Sequence, residues 1–128
     1  MALLLNVLWI LLGGGFAVCL EYMIGGLLLC LTIVGIPFGL QCFKLAELSL
    51  LPFGHDAIPD PEASTSGCLG LFLNVFWFLV AGLWIFLTHV GLAIALALTI
   101  IGLPFAWQHM KLAVFALRPF GRKVIARP

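Results

Sequence analysis

The side chains of this chain that are best suited to chemistry are an amide and an ammonium group that recur as a pair. Lys44 follows Gln41 by three residues, and Lys111 follows Gln108 at the same interval. Residues three apart lie on one side of a helix, so each pair presents hydrogen-bonding groups beside a positive charge. In a ring of subunits these pairs would form a basic collar that attracts anions or holds lipid phosphates. The alternative is a lysine that ends a membrane helix and reaches toward the headgroups, with Glu47 close enough to neutralise Lys44.

Two asparagines and two predicted turn residues complete the set of polar candidates. Asn6 and Asn74 lie near the start of long apolar runs. Their amides could line a polar path, but hydrogen bonding between helices, worth about 1 kcal/mol each, is the expected role. Glu21 and His89 lie where turns are predicted, so they could sense pH or bind a cation, or they could simply be hydrated.

The sequence contains no arrangement typical of an enzyme or a metalloprotein. The four cysteines lack metal-ligand and disulfide spacing, and there is no nucleophile elbow, phosphate-binding loop or pair of intramembrane carboxylates. A net charge of +1 provides no basic face for nucleic acid. We therefore predict no catalytic residue, no cofactor, no metal site, no enzymatic activity and no nucleic-acid partner.

The elements that carry the candidate residues are predicted to lie in a membrane. Of the 128 residues, 64% are apolar and only 9% are charged, which is far from the balance of a soluble domain. Thiols and Tyr22 aside, Glu21 is the only ionisable side chain between Met1 and Phe43. Such a segment could not give a soluble fold a hydrated surface, so the chain is predicted to be an all-α integral membrane protein.

The chain is an internal duplication. The segment 31–38 returns as 98–105, and 13 of the 23 positions from 32 to 54 are identical to those 67 residues later. Upstream the offset is 68, because Asn-Val-Leu-Trp at 6–9 corresponds to Asn-Val-Phe-Trp at 74–77, so the second copy is one residue shorter. Such a repeat predicts one supersecondary structure that is used twice.

Each copy is predicted to cross the membrane twice. About 20 apolar residues span a bilayer, and the first run of each copy has this length before a turn at Glu21–Tyr22 or Thr88–His89. The next run is too short to cross before Pro37, so either the chain turns back or a helix continues through the proline. We favour a Pro-kinked helix that ends before Lys44, with the same arrangement in the second copy. The predicted transmembrane helices are residues 2–20, 23–43, 69–87 and 90–110.

Small residues beside the prolines are predicted to permit the kinks and close helix packing. Gly35 and Gly39 flank Pro37, and their spacing of four residues suits two membrane helices that approach closely. The positions assigned to helix kinking and packing are Gly35, Pro37, Gly39, Gly102, Pro104 and Ala106.

Short segments follow each predicted pair of crossings. Residues 45–51 and 112–117 are too short to cross and are predicted to lie in the interface, each ended by Pro-Phe-Gly. Residues between the copies are rich in proline, acids and serine, which is typical of a linker. The predicted organisation is membrane repeat 1 at 1–54, a cytoplasmic linker at 55–67, and membrane repeat 2 at 68–128 with a basic tail at 118–128.

The basic residues predict the orientation of the chain. All six follow the second predicted crossing of a copy, so the positive-inside rule places the linker and the C-terminus in the cytoplasm. An even number of crossings places the N-terminus there too, and the copies are then two parallel two-helix repeats. The tail bases predicted to contact anionic lipid headgroups are Arg118, Arg122, Lys123 and Arg127.

The repeated motifs together point to a family. They are Asn-Val-Leu-Trp and Asn-Val-Phe-Trp near the start of each copy, Gly-Ile-Pro and Gly-Leu-Pro in the middle, Lys44 and Lys111, and the two Pro-Phe-Gly ends. Over nearly the whole chain this set resembles the YccF family of small bacterial inner-membrane proteins. The resemblance implies a tandem of one inner-membrane component domain and a location in a bacterial inner membrane, and it implies no catalytic residue.

Two classes of function are compatible with these features. The favoured one is a non-enzymatic interaction or structural component of the membrane that acts as a homo-oligomer, because each polar residue of the predicted helices has an adequate packing role. The alternative is an oligomeric channel or transport pathway for ions or small polar solutes, with the basic collar on its cytoplasmic side. The expected partners are membrane lipid and further copies of the chain, and the sequence specifies no other protein partner.

Overall fold

The computed structural model describes residues 1–65 and 67–127. They fold into two compact units, the first formed by Met1–Asp56 with the C-terminal residues from Val124, and the second by Ala57–Lys123. Each unit contains most of one copy of the repeat and is mainly helical, which agrees with the predicted fold class. The predicted helix bounds, however, need correction.

The first unit contains three helices: α1 at Ala2–Leu12, α2 at Gly15–Cys30 and α3 at Ile36–Leu50. Helices α1 and α2 meet at a bend of 73°. Gly14 lies at this bend with a φ of +80°, a left-handed conformation that glycine adopts without steric cost. The prediction of one helix at 2–20 is therefore wrong, because the apolar run is divided between two helices.

The second unit passes the equivalent position without a break. It contains α4 at Gly67–Trp77, a π-helical turn at Phe78–Gly82, α5 at Leu83–Ala97 and α6 at Leu103–Leu117. A π-helical turn changes the residue count of a helix locally without ending it. The two copies therefore differ at this position, the first with a bend and the second with a π-helical turn.

Each copy folds back on itself before its proline. Helices α2 and α3 pack side by side as a hairpin in the first unit, and α5 and α6 form the matching hairpin in the second. The predicted Pro-kinked helices at 23–43 and 90–110 are therefore wrong. Pro37 and Pro104 instead lie in the first turn of a new helix, where a missing N–H costs no intrahelical hydrogen bond.

The predicted turns and interfacial segments lie inside these helices. Glu21–Tyr22 is in the middle of α2, and Thr88–His89 is in α5. The predicted interfacial pieces are the last turns of α3 and α6, and they stay with the hairpins because their apolar side chains are buried there. The side chains buried in these turns include Leu45, Leu48, Leu112 and Phe115.

Two short strands follow the hairpins. Strand β1 is His55–Pro59, strand β2 is Arg122–Ala126, and they form a two-stranded sheet. In the first unit the N–H of Arg127 donates to the carbonyl of Gly54 at 2.6 Å. The predicted linker and basic tail thus contain regular structure, which the sequence did not reveal because a five-residue strand is stable only with its partner.

The surface of the helices is largely apolar. Every helix exposes large apolar side chains, for example Leu3 on α1, Leu40 on α3 and Trp107 on α6. Within the described residues one continuous helix, Gly67–Ala97, is long and apolar enough to span a membrane, and α1 with α2 meet the same criterion only as a bent pair. Apolar surface of this extent is typical of contact with lipid or with another protein.

Candidate functional site

The asparagine of each repeated Asn-Val-x-Trp motif binds the backbone of the Pro-Phe-Gly motif in its own unit. Asn6 Nδ2 donates to the carbonyl oxygen of Phe53 at 2.9 Å, and the N–H of Phe53 donates to Asn6 Oδ1 at 3.0 Å. In the second unit Asn74 makes the same two hydrogen bonds with Phe120, at 3.1 and 3.0 Å. A side-chain amide satisfies one backbone donor and one acceptor at once, so this contact holds the chain where it leaves the hairpin.

The tryptophan of the same motif binds the end of the return helix. Trp9 Nε1 donates to the carbonyl of Ser49 at 2.6 Å, and Trp77 Nε1 donates to that of Ala116 at 2.7 Å. These carbonyls belong to the last turns of α3 and α6, where a helix offers its carbonyl groups no backbone N–H partner. Both indoles are buried, so one bond satisfies the indole N–H and the helix end together. We define the base clamp as Asn6, Trp9, Ser49 and Phe53 in the first unit, and Asn74, Trp77, Ala116 and Phe120 in the second.

The other end of each hairpin is closed by a Thr-x-x-Gly turn. Thr32 Oγ1 donates to the carbonyl of Leu29 at 2.9 Å and accepts from the N–H of Gly35 at 3.0 Å. Thr99 repeats both bonds at 2.8 and 3.0 Å in the second unit. Glycine is needed because a Cβ at Gly35 would collide with the Leu29 carbonyl oxygen. We define the tips as residues 31–35 and 98–102.

Gly39 allows the two legs of the first hairpin to touch. A Cβ on Gly39 would lie 2.6 Å from the carbonyl oxygen of Gly26, so α2 and α3 approach backbone to backbone at this level. Ala106 takes the equivalent position in the second unit and is buried. The small residues near the prolines therefore serve the turn and the contact between the legs of one hairpin.

The two Gln-Lys pairs lie on the return helices α3 and α6. Gln41 and Gln108 are each only 6% exposed, whereas Lys44 and Lys111 are half-buried. Gln41 Nε2 donates to the carbonyl of Pro37 at 3.1 Å. The Oε1 atoms of both glutamines are buried without a hydrogen-bond partner in the described part of the chain. The members of a pair therefore differ in burial, and the collar, which needs several subunits, stays a prediction.

Two bases of the predicted lipid-binding tail are paired with acids. Arg127 forms an ion pair with Asp56 in the first unit, and Lys123 Nζ lies 3.6 Å from Asp60 Oδ1 in the second. Arg118 is exposed, and its side chain has no ion-pair partner among residues 1–65 and 67–127. Arg118 is therefore the tail base best placed for an external anion.

Arg118 borders two shallow cavities of the second unit. One, of about 250 Å³, includes the polar side chains of Asp60 and Thr65. The other, of about 300 Å³, includes the apolar side chains of Leu71 and Phe78. A guanidinium placed beside apolar side chains suits a phosphate that carries a hydrocarbon chain.

The structure reveals a buried histidine pair that sequence reasoning missed. His89 Nδ1 and His109 Nδ1 are 2.9 Å apart, and the residues are only 2% and 1% exposed. The prediction of His89 as a turn residue is therefore wrong. The equivalent residues of the first unit, Tyr22 and Cys42, are also buried. A chain reversal predicted at 98–102 would have indicated the pair. In a hairpin, residues at similar distances from the turn on either side lie next to each other, and His89 and His109 are such residues.

No metal centre is formed by the described residues, because no three histidine, cysteine or acidic side chains come together in an arrangement that could hold an ion. The two units share three features, which are the base clamp, the tip and the buried glutamine. Each of them is built from motifs that the sequence repeats.

Comparison with known proteins identifies one family. The YccF family, described as an inner membrane component domain, matches the chain twice, at residues 4–55 and 72–122. The chain is 35% identical to the inner membrane protein YccF of Escherichia coli (strain K12) in an alignment 132 positions long, and the alignment covers 98% of this chain and 88% of that protein. The protein of the same name from Shigella flexneri shows the same values. No solved structure matches the chain. The double match confirms both the predicted duplication and the predicted resemblance.

Proposed function

Because the chain belongs to the YccF family of bacterial inner-membrane proteins, with one family domain in each repeat, we propose that it is a non-enzymatic structural component of that membrane which assembles with further copies of itself. The base clamps are the observation that carries this proposal. In each unit the side-chain N–H groups of the repeated asparagine and tryptophan donate hydrogen bonds to backbone carbonyls of the same unit. These repeated residues therefore build a fold rather than a reactive centre.

Assembly is supported by the surface of the helices. Large apolar side chains are exposed along both hairpins, and there is open space beside the helical glycines Gly25 and Gly91. Small residues on a lipid-facing helix allow another helix to approach closely, so these two positions suit contacts between copies.

Anionic phospholipid is the second partner that we propose. Arg118 is exposed, borders two cavities and has no ion-pair partner among residues 1–65 and 67–127, and anionic headgroups attract such a base by about 1 kcal/mol. We also propose that the bases lie on the cytoplasmic side, as the positive-inside rule predicts, and that both termini lie in the cytoplasm.

The test is reconstitution of the purified full-length protein. Its mass in lipid nanodiscs should correspond to a discrete multimer, and liposomes that contain it should retain potassium, chloride and small polar solutes as well as protein-free liposomes do. Rapid release of ions from the protein-containing liposomes would contradict a purely structural role.

The alternative function, an oligomeric channel or transport pathway, is favoured by one observation. Gln41 Oε1 and Gln108 Oε1 are buried without a hydrogen-bond partner in the described residues, and an unsatisfied buried acceptor costs roughly 1–3 kcal/mol. Water or a solute could satisfy such an oxygen. If the alternative holds, the combined Lys44→Glu and Lys111→Glu changes should alter the ion selectivity of the flux. Lys123→Glu, on β2, is the matched control and should leave it unchanged.

A further inference from the structure

The tips are highly exposed and almost entirely apolar. The threonines are their only polar side chains, and both hydroxyl groups are hydrogen bonded inside the turn. The remaining bulky side chains are 79–87% exposed. They are Leu31, Ile33 and Val34 in the first unit and Leu98, Ile100 and Ile101 in the second. Because the same surface is formed twice, it is a property of the repeat, and it is unsuited to water.

The backbone of each tip is suited to hydrocarbon. In the first tip the N–H groups of Leu31, Thr32 and Gly35 donate to carbonyls within the turn or the preceding helix. Pro37 has no N–H to satisfy. The second tip repeats the same bonds. Backbone groups must be satisfied internally where lipid surrounds the chain, and these helix-like turns meet most of that requirement.

The return helices of the two hairpins are too short to cross a bilayer. The return helices α3 and α6 have 15 residues each, which is about 22 Å of helix against a hydrocarbon core of about 30 Å. The preceding leg of the second hairpin is longer, but Asn74 and Trp77 tie its first part to the end of α6. The shorter leg therefore sets the depth that a tip can reach from the base clamp.

The charged residues of the hairpins also oppose a crossing. Lys44 is eight residues beyond the start of α3, about 12 Å along the helix, and Glu47 follows it with an exposed side chain. If the tip emerged on the far side, both charges would lie inside the hydrocarbon, where a carboxylate or ammonium group is costly. If the tip stays in the hydrocarbon, both charges lie near the surface through which the hairpin enters.

We propose that both hairpins are re-entrant: each enters the bilayer from the side of its own base clamp, and its tip ends among the lipid acyl chains near the midplane without emerging. Helix α1, at 73° to α2, then lies close to the plane of the interface. This inference rests on the membrane location proposed above, but it depends neither on self-assembly nor on the absence of ion flux.

The test uses the full-length protein with its four cysteines replaced by alanine and one cysteine introduced. Ile33→Cys and Ile100→Cys place the thiol at a tip, and Glu47→Cys is the matched control at the base. Each variant is treated with a membrane-impermeant maleimide in right-side-out and inside-out membrane vesicles, and then again after detergent is added. In liposomes, an environment-sensitive fluorophore on the same thiols is quenched by lipids that carry a spin label at the headgroup or deep in the acyl chain.

The two tip thiols should react from neither side of the membrane and should react fully in detergent, which also shows that the protein is present. The deep quencher should quench a tip fluorophore at least about twice as strongly as the headgroup quencher, and the order should reverse at Glu47→Cys. Labelling of Ile33→Cys from the side opposite to Glu47→Cys, or of Ile100→Cys from either side, would overturn the inference. The inference would also be overturned by a tip thiol that the maleimide reaches from neither side and whose fluorophore neither spin-labelled lipid quenches. Such a tip would be covered by protein. Ion flux through the liposomes would contradict the proposed structural role. The depth of the tip is measured independently of that flux, so the two results can be distinguished.

Discussion

Asn6 and Phe53 exchange two hydrogen bonds although 47 residues separate them in the chain. Asn74 and Phe120 make the same exchange across 46 residues. Each pair joins the residue before a hairpin to the residue after it, so it closes the hairpin at its base. Since these backbone groups lie where water cannot easily replace the asparagine, the loss of the amide should be felt by the whole unit.

Replacement of the clamp asparagines should destabilise the protein. Asn74→Ala removes both hydrogen bonds that the amide makes to the buried backbone of Phe120, and we expect the free energy of unfolding to fall by roughly 2–4 kcal/mol. Asn6→Ala should cost less, because its hydrogen bonds are only partly buried. Equilibrium unfolding in detergent micelles measures both values. Val75→Ala, which changes an exposed neighbour on α4, is the control; a loss as large as that of Asn74→Ala would contradict the role of the clamp.

Glycines of the two hairpins should respond to alanine in opposite directions. At Gly102 a Cβ would collide with the carbonyl oxygen of Leu96, so Gly102→Ala should lower the free energy of unfolding by more than about 1 kcal/mol. Gly91 lies in α5 with nothing of its own chain within 4 Å of an added Cβ, so in the dissociated single chain Gly91→Ala should raise it by about 0.5–1 kcal/mol. Thermal unfolding of both variants in the same detergent gives the comparison, and equal shifts would show that the turn does not require glycine.

The histidine pair should behave as a coupled unit. At 2.9 Å, one Nδ1 must donate and the other accept, so His89→Ala leaves a buried ring nitrogen of His109 without this partner at a cost of roughly 1–3 kcal/mol. The equivalent residues of the first unit, Tyr22 and Cys42, are both buried and suggest a rescue, namely the combined change His89→Tyr and His109→Cys. We expect the double variant to be more stable than either single change. Additive losses in the unfolding free energy would show that the two rings are not coupled.

Arg118 should influence how much anionic lipid stays with the protein. Arg118→Ala removes the exposed guanidinium beside the two cavities, and a loss of about 1 kcal/mol corresponds to roughly fivefold weaker binding of phosphatidylglycerol. Native mass spectrometry of the detergent-extracted protein measures the bound lipid. Arg127→Ala removes the same charge from a residue that is already paired with Asp56, so it is expected to change lipid binding little. Equal loss in both variants would indicate general attraction to the tail.

The motifs of this chain were visible before the structure, but their partners were not. The repeat pairs Asn6 and Trp9 with Asn74 and Trp77, and hydrogen bonding is the role predicted for the asparagine. The neighbouring sequence does not indicate that these side chains bind residues about 40 or more positions away. An amide in an apolar run is equally compatible with a partner on another helix. The burial of His89 was missed for the same reason, since it depends on which residue faces it.

The sequence by itself determined that the chain is a duplicated, mainly helical protein of the YccF family, because apolar composition and repeated motifs require no knowledge of contacts. Only the tertiary structure decided the path of the chain at Pro37. A proline suits both a kinked membrane helix and the first turn of a new one, so local sequence could not distinguish a continuous helix from a reversal. The turn at Thr32 and Gly35 and the distant clamp at Asn6 favour the reversal, and they act only once the two legs of the hairpin are side by side.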